Sequence, residues 1–369
     1  MIKVSQGCLG EEELAQVKEA FEYGYFGLAY KVVEFEEALA KYLGAKHVLA
    51  TNSGTSALHL VLDALGIGKG DEVIVPSLTF VASFQAISAT GATPVPCDVY
   101  PDTLLADIDD VERCITPRTR AIMPVHYASN PCDMDRLMEI SAKHDIRIVE
   151  DAAHALGSLY KDKMIGSFGD IACFSFDSIK NITCGEGGAI VCRDEQLVDL
   201  MRQKRLCGMD RKSQADISKY RSSTYEVRVQ GYRYHMSNIN AGIGLAQLAK
   251  LDGFIARRKE ICQRYDACFK THPNIKSLDI DYDHVAPHIY VILVQNGQRD
   301  HLMKYLKEKD VETSINYTPN HLHLLYRQQT RDLPYTEKAY QEILTLPLHC
   351  RLSDNDVSEV IKAVNEGLS

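Results

Sequence analysis

FSFDSIKNITCGEGG, residues 174–188, is the stretch of this 369-residue chain on which its fold and its chemistry most depend. It places Lys180 between an alternating apolar run and a glycine-rich turn. Apolar surroundings disfavour the ammonium form of a lysine, so its pKa falls and a neutral amine becomes available to attack an aldehyde. The alternative is an ordinary solvated lysine at the end of a strand, and the rest of the chain must decide between the two.

Short apolar runs recur on both sides of this segment. Runs 171–176 and 188–192 flank the lysine, and runs 47–51, 72–76 and 147–151 come before it. Helical patterns separate the earlier runs. Alternating strands and helices predict an α/β fold with a mostly parallel sheet, and ligands of such sheets bind beyond the carboxyl ends of the strands.

The pattern changes near residue 252. A basic helix is predicted over residues 255–271, a strand over 288–294 and a final helix over 353–367. Helices combined with a small sheet indicate a separate α+β unit. We therefore predict a large domain over residues 1–251, which contains Lys180, and a smaller C-terminal domain over 252–369.

Two helices of the large domain are predicted from the spacing of apolar and small residues. The first spans residues 11–43, and its three leading glutamates suit the positive end of a helix dipole. The second spans residues 237–251 and carries small residues on one face. It is expected to be distinct from the basic helix over 255–271.

Composition narrows the class of protein. The net charge is −9, with acidic and basic residues interspersed, 45% hydrophobic residues and 25% charged residues. Without a long basic run, neither nucleic acid nor an anionic membrane is expected as a partner. The eleven cysteines form no CxxC pair and no zinc-finger spacing, so no metal is expected. Since no signal peptide or long apolar run is present, a soluble cytoplasmic protein is expected.

Three further features bear on the ligand. Gly54 and Thr55 lie where a strand turns into a helix, and backbone N–H groups at a helix start bind anions such as phosphate. Ser175 is placed to add a hydroxyl to that cradle. Phe80 follows the strand 72–76 and is available to stack on a flat ring. Gly54 and Thr55 have an ordinary alternative as a helix cap, and Phe80 has one as a core aromatic.

The last feature that bears on the ligand is an acidic residue at the end of a predicted strand. Asp151 ends the apolar run 147–151, and His154 follows three residues later. A buried carboxylate is costly unless it meets a cation, and the protonated nitrogen of a pyridine ring would supply one. His154 could then hydrogen-bond the phenolic oxygen of that ring. The alternative is an aspartate that caps a helix and a histidine whose hydrogen bonds are satisfied in the core. Together with Lys180, this order of features points to pyridoxal 5′-phosphate (PLP).

The chain resembles the DegT/StrS family of sugar aminotransferases, a branch of the fold-type I PLP enzymes related to aspartate aminotransferase. The resemblance covers nearly the whole sequence. The matching motifs are VEFE (33–36), NSGTSAL (52–58), EVIVP (72–76), EDAAH (150–154), FSF (174–176), Lys180 with GEGG (185–188), MSNINA (236–241) and LPL (346–348).

The resemblance implies roles for individual residues. It implies that Lys180 binds the cofactor covalently, that Asp151 pairs with the pyridine nitrogen, and that His154 lies near the ring oxygen. It further implies that Phe80 stacks on the ring. The phosphate would be held by the family positions that correspond here to Gly54, Thr55 and Ser175.

The resemblance also implies a homodimer with shared active sites, in which a second subunit contributes a phosphate ligand. That ligand would lie in the segment GYRYHM, residues 231–236. Many relatives read Gly-Tyr-Asn-Tyr-Arg-Met there, whereas this chain has Arg233 and His235 at the Asn and Arg positions. Either residue could therefore be the one that reaches the cofactor of the partner.

The function expected from the resemblance is transamination of a keto or aldehyde sugar, most often nucleotide-linked, with L-glutamate as donor, for surface polysaccharide or related biosynthesis. Substrate contacts are expected from residues 202–234 and 316–323. The alternatives are the same chemistry on a non-hexose or nucleotide-free acid sugar, a PLP-dependent dehydratase, and a non-catalytic regulator. Relatives with histidine in place of the lysine are dehydratases, so Lys180 favours transamination.

Overall fold

The computed structural model describes residues 1–210, 225–327 and 331–369. Within these ranges a central sheet joins seven strands in the order β1-β9-β8-β5-β4-β2-β3. Only β9 runs antiparallel to its neighbours, and the other pairs are parallel. The strands and a small hairpin, β6–β7, are β1 Val48–Thr51, β2 Glu72–Pro76, β3 Thr93–Cys97, β4 Thr119–Ile122, β5 Arg147–Asp151, β6 Leu159–Tyr160, β7 Lys163–Met164, β8 Ile171–Ser175 and β9 Gly188–Cys192. The predicted α/β class with a mostly parallel sheet is confirmed.

Helices cover both faces of this sheet. The helices before the C-terminal part are α1 Glu11–Tyr23, α2 Tyr30–Leu43, α3 Gly54–Ala64, α4 Val81–Ala89, α5 Ile108–Arg113, α6 Met134–His144 and α7 Glu195–Lys204. Helices α3, α4 and α7 pack on one face in an apolar cluster that includes Leu60, Phe84 and Met201. Helix α2 packs on the other face, where Phe35 and Phe174 share a second cluster. Burial of these side chains holds the strand ends in fixed positions.

The predicted helix over residues 11–43 is wrong, because two helices occupy that range. Gly24 ends α1 in the left-handed conformation, with φ 77°, and its N–H bonds the carbonyl of Ala20. A glycine in this conformation closes the last turn of a helix at no steric cost. The chain then crosses a short loop before α2 begins.

The two helices predicted over 237–251 and 255–271 are instead one helix, α8 Asn238–Phe269. Its first half buries Ala241 and Leu251 against the central sheet, and its second half buries Tyr265 and Phe269 in a C-terminal core. Gly253 lies inside the helix and costs about 1 kcal/mol relative to alanine, but packing at both ends outweighs that cost. The domain division at 251/252 stays a prediction, and this helix runs through it.

The described residues of the C-terminal part include a small antiparallel sheet, three α-helices and a single 3-10 turn, Asn320–Leu322. Its elements are β10 Ile275–Ser277, β11 Tyr290–Val294, β12 Ile343–Leu346, α9 Arg299–Glu308, α10 Pro334–Glu342 and α11 Asp354–Gly367, with the sheet ordered β10-β11-β12. The N-terminal residues join this part, since Ile2 pairs with Val311. A search of the described helices finds none that is long and apolar enough to cross a membrane.

Strand direction decides where side chains can meet. β1, β2, β5 and β8 point the same way, because β1 and β8 are both antiparallel to β9. Their carboxyl ends therefore lie at one edge of the sheet. Helices α3 and α4 start at that edge, directly after β1 and β2.

Candidate active site

A cavity of about 530 Å³ opens at the carboxyl edge of the sheet. It is lined by seven of the nine residues singled out in the sequence: Gly54, Thr55, Phe80, Asp151, His154, Ser175 and Lys180. Each of these residues lies close to the carboxyl end of a parallel strand or at the start of the helix that follows one. The parallel topology thus brings together residues that are as far as 126 positions apart in the chain, counted from Gly54 to Lys180.

Lys180 lies in the loop between β8 and β9. Its N–H donates to the carbonyl of Asp177 at 3.1 Å, which closes a turn that directs the loop back toward the sheet. Burial lowers the pKa of Lys180 to about 8, and the carboxylates of Asp151 and Asp177 oppose that shift. A usable fraction of this lysine is therefore a neutral amine near neutral pH, as a nucleophile toward an aldehyde requires.

Asp151 ends β5 and is buried. Its Oδ2 accepts a hydrogen bond of 2.7 Å from the Ser83 hydroxyl, and its Oδ1 accepts one of 3.2 Å from the N–H of Ala153. Thr79 Oγ1 lies 3.0 Å from Ser83 Oγ, so a short chain of hydroxyls leads to the carboxylate. Among the described residues no cation lies within ion-pair distance of Asp151. A buried carboxylate without a counter-ion fits a cationic ring nitrogen bound in the cavity.

The start of α3 forms an anion site. Ser53 caps the helix by accepting a 3.0 Å hydrogen bond from the N–H of Ser56. Gly54 and Thr55 are the first two residues of the helix, so no carbonyl of the helix is available to accept from their N–H groups. A Cβ on Gly54 would lie 2.9 Å from Ser175 Cβ, so only glycine lets β8 and the helix start approach this closely. Backbone donors, the Thr55 hydroxyl and Ser175 Oγ together fit a phosphate.

His154 is buried beside Lys180. Its Nε2 lies 2.9 Å from the hydroxyl oxygen of Tyr317, while its Nδ1 is buried and has no hydrogen-bond partner among the residues that the structure describes. Burial, followed by the charge of Lys180, lowers the pKa of His154 well below its usual value, so the ring is neutral. An orphaned buried polar atom at a cavity wall indicates that a bound group completes the site.

Phe80 lies at the opening of the cavity. Its side chain is 54% exposed although it follows a fully buried strand, and its ring centroid lies 5.6 Å from that of Tyr317. An exposed aromatic ring at a cavity mouth has a free face on which another ring can stack. The residues that line this cavity fit pyridoxal phosphate in their chemistry, while the role that the sequence assigns to each of them stays a prediction.

The comparisons with known proteins agree with this geometry. The family model of the DegT/DnrJ/EryC1/StrS aminotransferase family matches residues 7–365. The chain belongs to this family. It is 40% identical to the spore coat polysaccharide biosynthesis protein SpsC of Bacillus subtilis, over 97% of this chain and 95% of SpsC. The predicted resemblance and the enzyme class, an aminotransferase, are confirmed.

Solved structures of other aminotransferases match the fold. Spr1654 from Streptococcus pneumoniae, assigned as a sugar aminotransferase, superposes in its PMP-form with a TM-score of 0.93 and 32% identity, covering 100% of this chain and 99% of its own. Helicobacter pylori PseC, an aminotransferase of pseudoaminic acid biosynthesis, superposes with a TM-score of 0.92 and 30% identity, covering 99% and 98%. Spr1654 has also been solved in a PLP-form. The fold-type I class and the PLP cofactor expected from the sequence are confirmed.

Some residues of this aminotransferase site were not singled out from the sequence. Ser83 follows Phe80 by three residues, so helical spacing could have placed it on the same face of α4. Asn316 and Tyr317 line the cavity, within the segment 316–323 that was expected to contact substrate. No local pattern distinguishes these two residues, because they reach the site from the C-terminal part.

Arg233 and His235 do not line the cavity of their own chain. Arg233 is exposed, and its carbonyl accepts a 3.3 Å hydrogen bond from the Asn52 amide. His235 pairs through its backbone with Thr51 at the end of β1. Of residues 202–234, for which substrate contacts were expected, 211–224 lie outside the described residues, and no described member lines this cavity.

Proposed function

We propose that this aminotransferase converts a keto or aldehyde sugar to an amino sugar, with L-glutamate as the amino donor. We further propose that the sugar is linked to a nucleotide. The observation that carries the proposal is the position of Lys180, with its pKa lowered to about 8, in the same cavity as the buried carboxylate of Asp151, which has no cation within ion-pair distance among the described residues. A low-pKa amine and an acid without a counter-ion are the two groups that PLP chemistry demands.

Each side chain then has a defined task. PLP, when bound, supplies an aldehyde that takes up the amino group and a ring that withdraws electrons from the reacting carbon. Lys180 would bind the aldehyde and, once released, would move a proton at Nζ, for which a pKa of about 8 is well matched. Asp151 would hold a cationic ring nitrogen through its carboxylate. Gly54, Thr55 and Ser175 would hold the phosphate.

Shielding and orientation come from two further residues. Phe80 offers a free ring face at the cavity mouth, where stacking would hold the pyridine ring and keep water from it. His154, held neutral by burial, keeps a second positive charge away from Lys180. Loss of that neutrality would depress the pKa of the lysine further.

Several observations support a sugar substrate. The cavity of about 530 Å³ carries polar groups at its wall, from Thr79, Asn316 and Tyr317, that can bind hydroxyl groups. SpsC is named for polysaccharide biosynthesis and PseC for pseudoaminic acid biosynthesis. On these grounds we place this chain in the biosynthesis of a surface polysaccharide or a related product, with a nucleotide-free acid sugar as the alternative substrate.

A homodimer with shared active sites belongs to the same proposal. Arg233 is exposed and does not line the cavity of its own chain, as expected of a residue that serves a second subunit. Large apolar side chains are exposed in and after α1: Leu14, Phe21 and Phe26. Exposed apolar surface of this kind is typical of a protein interface. In the proposed dimer, Arg233 or His235 binds the phosphate in the partner's cavity.

The proposed location is the cytoplasm. All eleven cysteines are free thiols, and seven of them are buried. Buried free thiols persist in a reducing compartment, whereas secreted proteins usually pair them. Nucleotide-linked sugars would also be available there as substrates.

The test is a product assay. Purified enzyme with PLP and glutamate is incubated with a panel of keto sugars, both nucleotide-linked and free, and the masses of the products are determined by mass spectrometry. Gain of an amino group, with release of 2-oxoglutarate, supports the proposal; Lys180→Ala should abolish it, and Lys163→Ala, at an exposed lysine of β7, should not.

Two other outcomes of that assay would contradict the proposal. Loss of an oxygen from the sugar without gain of nitrogen would identify a dehydratase. Binding of PLP without turnover of any sugar or of glutamate would identify a regulator.

A further inference from the structure

Lys180 lies at the point where the loop between β8 and β9 returns to the protein interior. Ser178 and Ile179 are exposed, whereas Asn181 and Ile182 are buried. In the described part of the chain, no group hydrogen-bonds the amine of Lys180. The position of this amine in the cavity therefore depends on how the backbone on either side of the lysine is held.

The side chain of Asn181 ties this return point to two other segments of the chain. Its Nδ2 donates to the carbonyl of Leu156 at 3.2 Å and to the carbonyl of Ala286 at 3.1 Å. Carbonyl oxygens can only accept, so it must be the amide nitrogen that faces them, and the direction of both bonds is fixed. All three residues are buried. Loss of the amide would leave two buried carbonyls without this donor, which is costly.

The two segments that accept from Asn181 are also joined to each other. The N–H of Ala286 donates to Ser158 Oγ at 3.0 Å, and the N–H of Leu159 donates to the carbonyl of His284 at 2.8 Å. The first of these bonds is buried. Asn181 is therefore bound to a support that is itself hydrogen-bonded, and such a network can hold the loop in one position.

Asp177 holds the loop on the other side of the lysine. Its carbonyl accepts from the N–H of Lys180 at 3.1 Å, and its carboxylate accepts from the N–H of Ile179 at 3.2 Å. Lys180 thus has a hydrogen-bonded turn before it and the buried amide of Asn181 directly after it. Since consecutive Cα atoms are about 3.8 Å apart, a displacement of Asn181 would displace the backbone of Lys180 as well.

We propose that Asn181 is a positioning residue, which holds Lys180 where its amine can reach the aldehyde carbon of the bound cofactor. This inference rests on the proposed function. In the bond-forming step the neutral amine loses both of its hydrogens and the aldehyde loses its oxygen; these leave as water, and a C=N bond replaces the C=O bond. Reactions between held groups depend steeply on placement, and a shift of about 1 Å can cost on the order of 100-fold.

The experiment compares the affinities of two forms of the cofactor and needs no turnover. PLP carries the aldehyde that bonds to Lys180, whereas pyridoxamine 5′-phosphate (PMP) carries an amine in its place and binds without that bond. Both affinities are measured by fluorescence titration of the cofactor-free enzyme. Asn181→Leu keeps a side chain of similar size but removes the donor. In this variant the affinity for PLP should fall by at least about tenfold relative to the affinity for PMP.

The matched control is Asn240→Leu. The Asn240 amide also donates to two carbonyls of the loop between β8 and β9, those of Cys184 at 2.6 Å and Glu186 at 3.1 Å, but both lie farther from Lys180 along the chain. This variant loosens the same loop without acting next to the lysine. Its ratio of PLP affinity to PMP affinity should equal that of the wild type.

A second background separates positioning from general damage. In Lys180→Ala the ratio should fall already, and adding Asn181→Leu should produce no further fall, because the amide acts through the lysine. Should Asn181→Leu fail to fold, as judged by circular dichroism, Asn181→Ala provides the same test. The smaller side chain leaves room for water at the two carbonyls, while the direct tether to the lysine is still lost, so the ratio should again fall.

Three results would overturn the inference. The first is a wild-type ratio in a folded variant at position 181, the second is an equal fall in Asn240→Leu, and the third is a further fall in the Lys180→Ala background. A wild-type enzyme that binds PLP no more tightly than PMP would instead refute the covalent role of Lys180, and with it the proposed PLP chemistry. The two kinds of failure are therefore distinguishable.

Discussion

Replacing Lys180 with methionine should stabilise the cofactor-free protein at neutral pH, and the gain should fade as the pH rises. Burial lowers the pKa of this lysine from its ordinary 10.5 to about 8. At 1.36 kcal/mol per pKa unit, keeping the ammonium in the cavity at neutral pH costs about 3 kcal/mol. The pH-dependent part of the gain is therefore expected to be about 3 kcal/mol.

The sign of the pH dependence follows from proton binding. Below pH 8 the folded and unfolded states both hold the proton, so the full cost is present. Between pH 8 and 10.5 the unfolded state holds a proton that the folded state has released, so wild-type stability rises with pH. The advantage of the methionine variant should therefore be largest below pH 8 and should vanish as the pH approaches 10.5.

Urea unfolding of the cofactor-free proteins at about pH 7 and about pH 9.5 measures this difference. Comparing the two pH values removes the constant change in packing between lysine and methionine. Lys163→Met, at an exposed position of β7, is the matched control and should alter stability by no more than about 0.5 kcal/mol at either pH. An advantage of Lys180→Met that is the same at both pH values would refute the assignment of a desolvated lysine.

Three further predictions concern the cofactor site and its support. Asp151→Asn should reduce turnover by at least about 100-fold while leaving the fold intact, because a neutral amide cannot hold a cationic ring nitrogen. Steady-state kinetics measure the turnover and circular dichroism checks the fold, and turnover within about tenfold of the wild type would contradict the prediction. Gly54→Ala should weaken cofactor binding by at least about tenfold in a fluorescence titration, because the Cβ of the alanine would lie 2.9 Å from the Cβ of Ser175. Unchanged affinity would show that the start of the helix can shift to make room. Arg205→Met should destabilise the protein by about 3–5 kcal/mol in urea unfolding, because the buried Arg205 guanidinium donates both to the carboxylate of Glu36 and to the carbonyl of Ala50, and both bonds are lost. A loss below about 1 kcal/mol would contradict that account.

Local sequence patterns were enough to predict the core of the site. Gly54, Asp151 and Ser175 each lie at or next to the end of an apolar run, and parallel strands bring such ends to one edge of the sheet. Lys180 was recognised from its apolar neighbours and the glycines after it. These signals are local in the chain, and the topology that unites them follows from alternating strands and helices.

Other features depend on contacts that no local pattern reveals. Tyr317 reaches His154 across 163 positions of the chain, counted between those two residues, and is held there by Asn320 and His321. The continuity of α8 past Gly253 depends on burial of its two halves in different cores. In both cases tertiary packing overrides what the local sequence indicates.

The division of α1 from α2 is a case where a local signal was present. Gly24 adopts φ 77° and closes α1, as glycine commonly does just beyond the end of a helix. The sequence pattern did not reveal this break, because apolar residues recur at helical spacing both before and after it.

The central claim is that Lys180 is the residue that binds PLP covalently. Borohydride reduction of the cofactor-loaded enzyme fixes that linkage, and peptide mass spectrometry then locates it on the chain. We predict that the added cofactor mass is found on the peptide containing Lys180 and on no other, and that Lys180→Ala carries none. Cofactor mass on a different lysine, or none on the wild-type protein, would contradict the account.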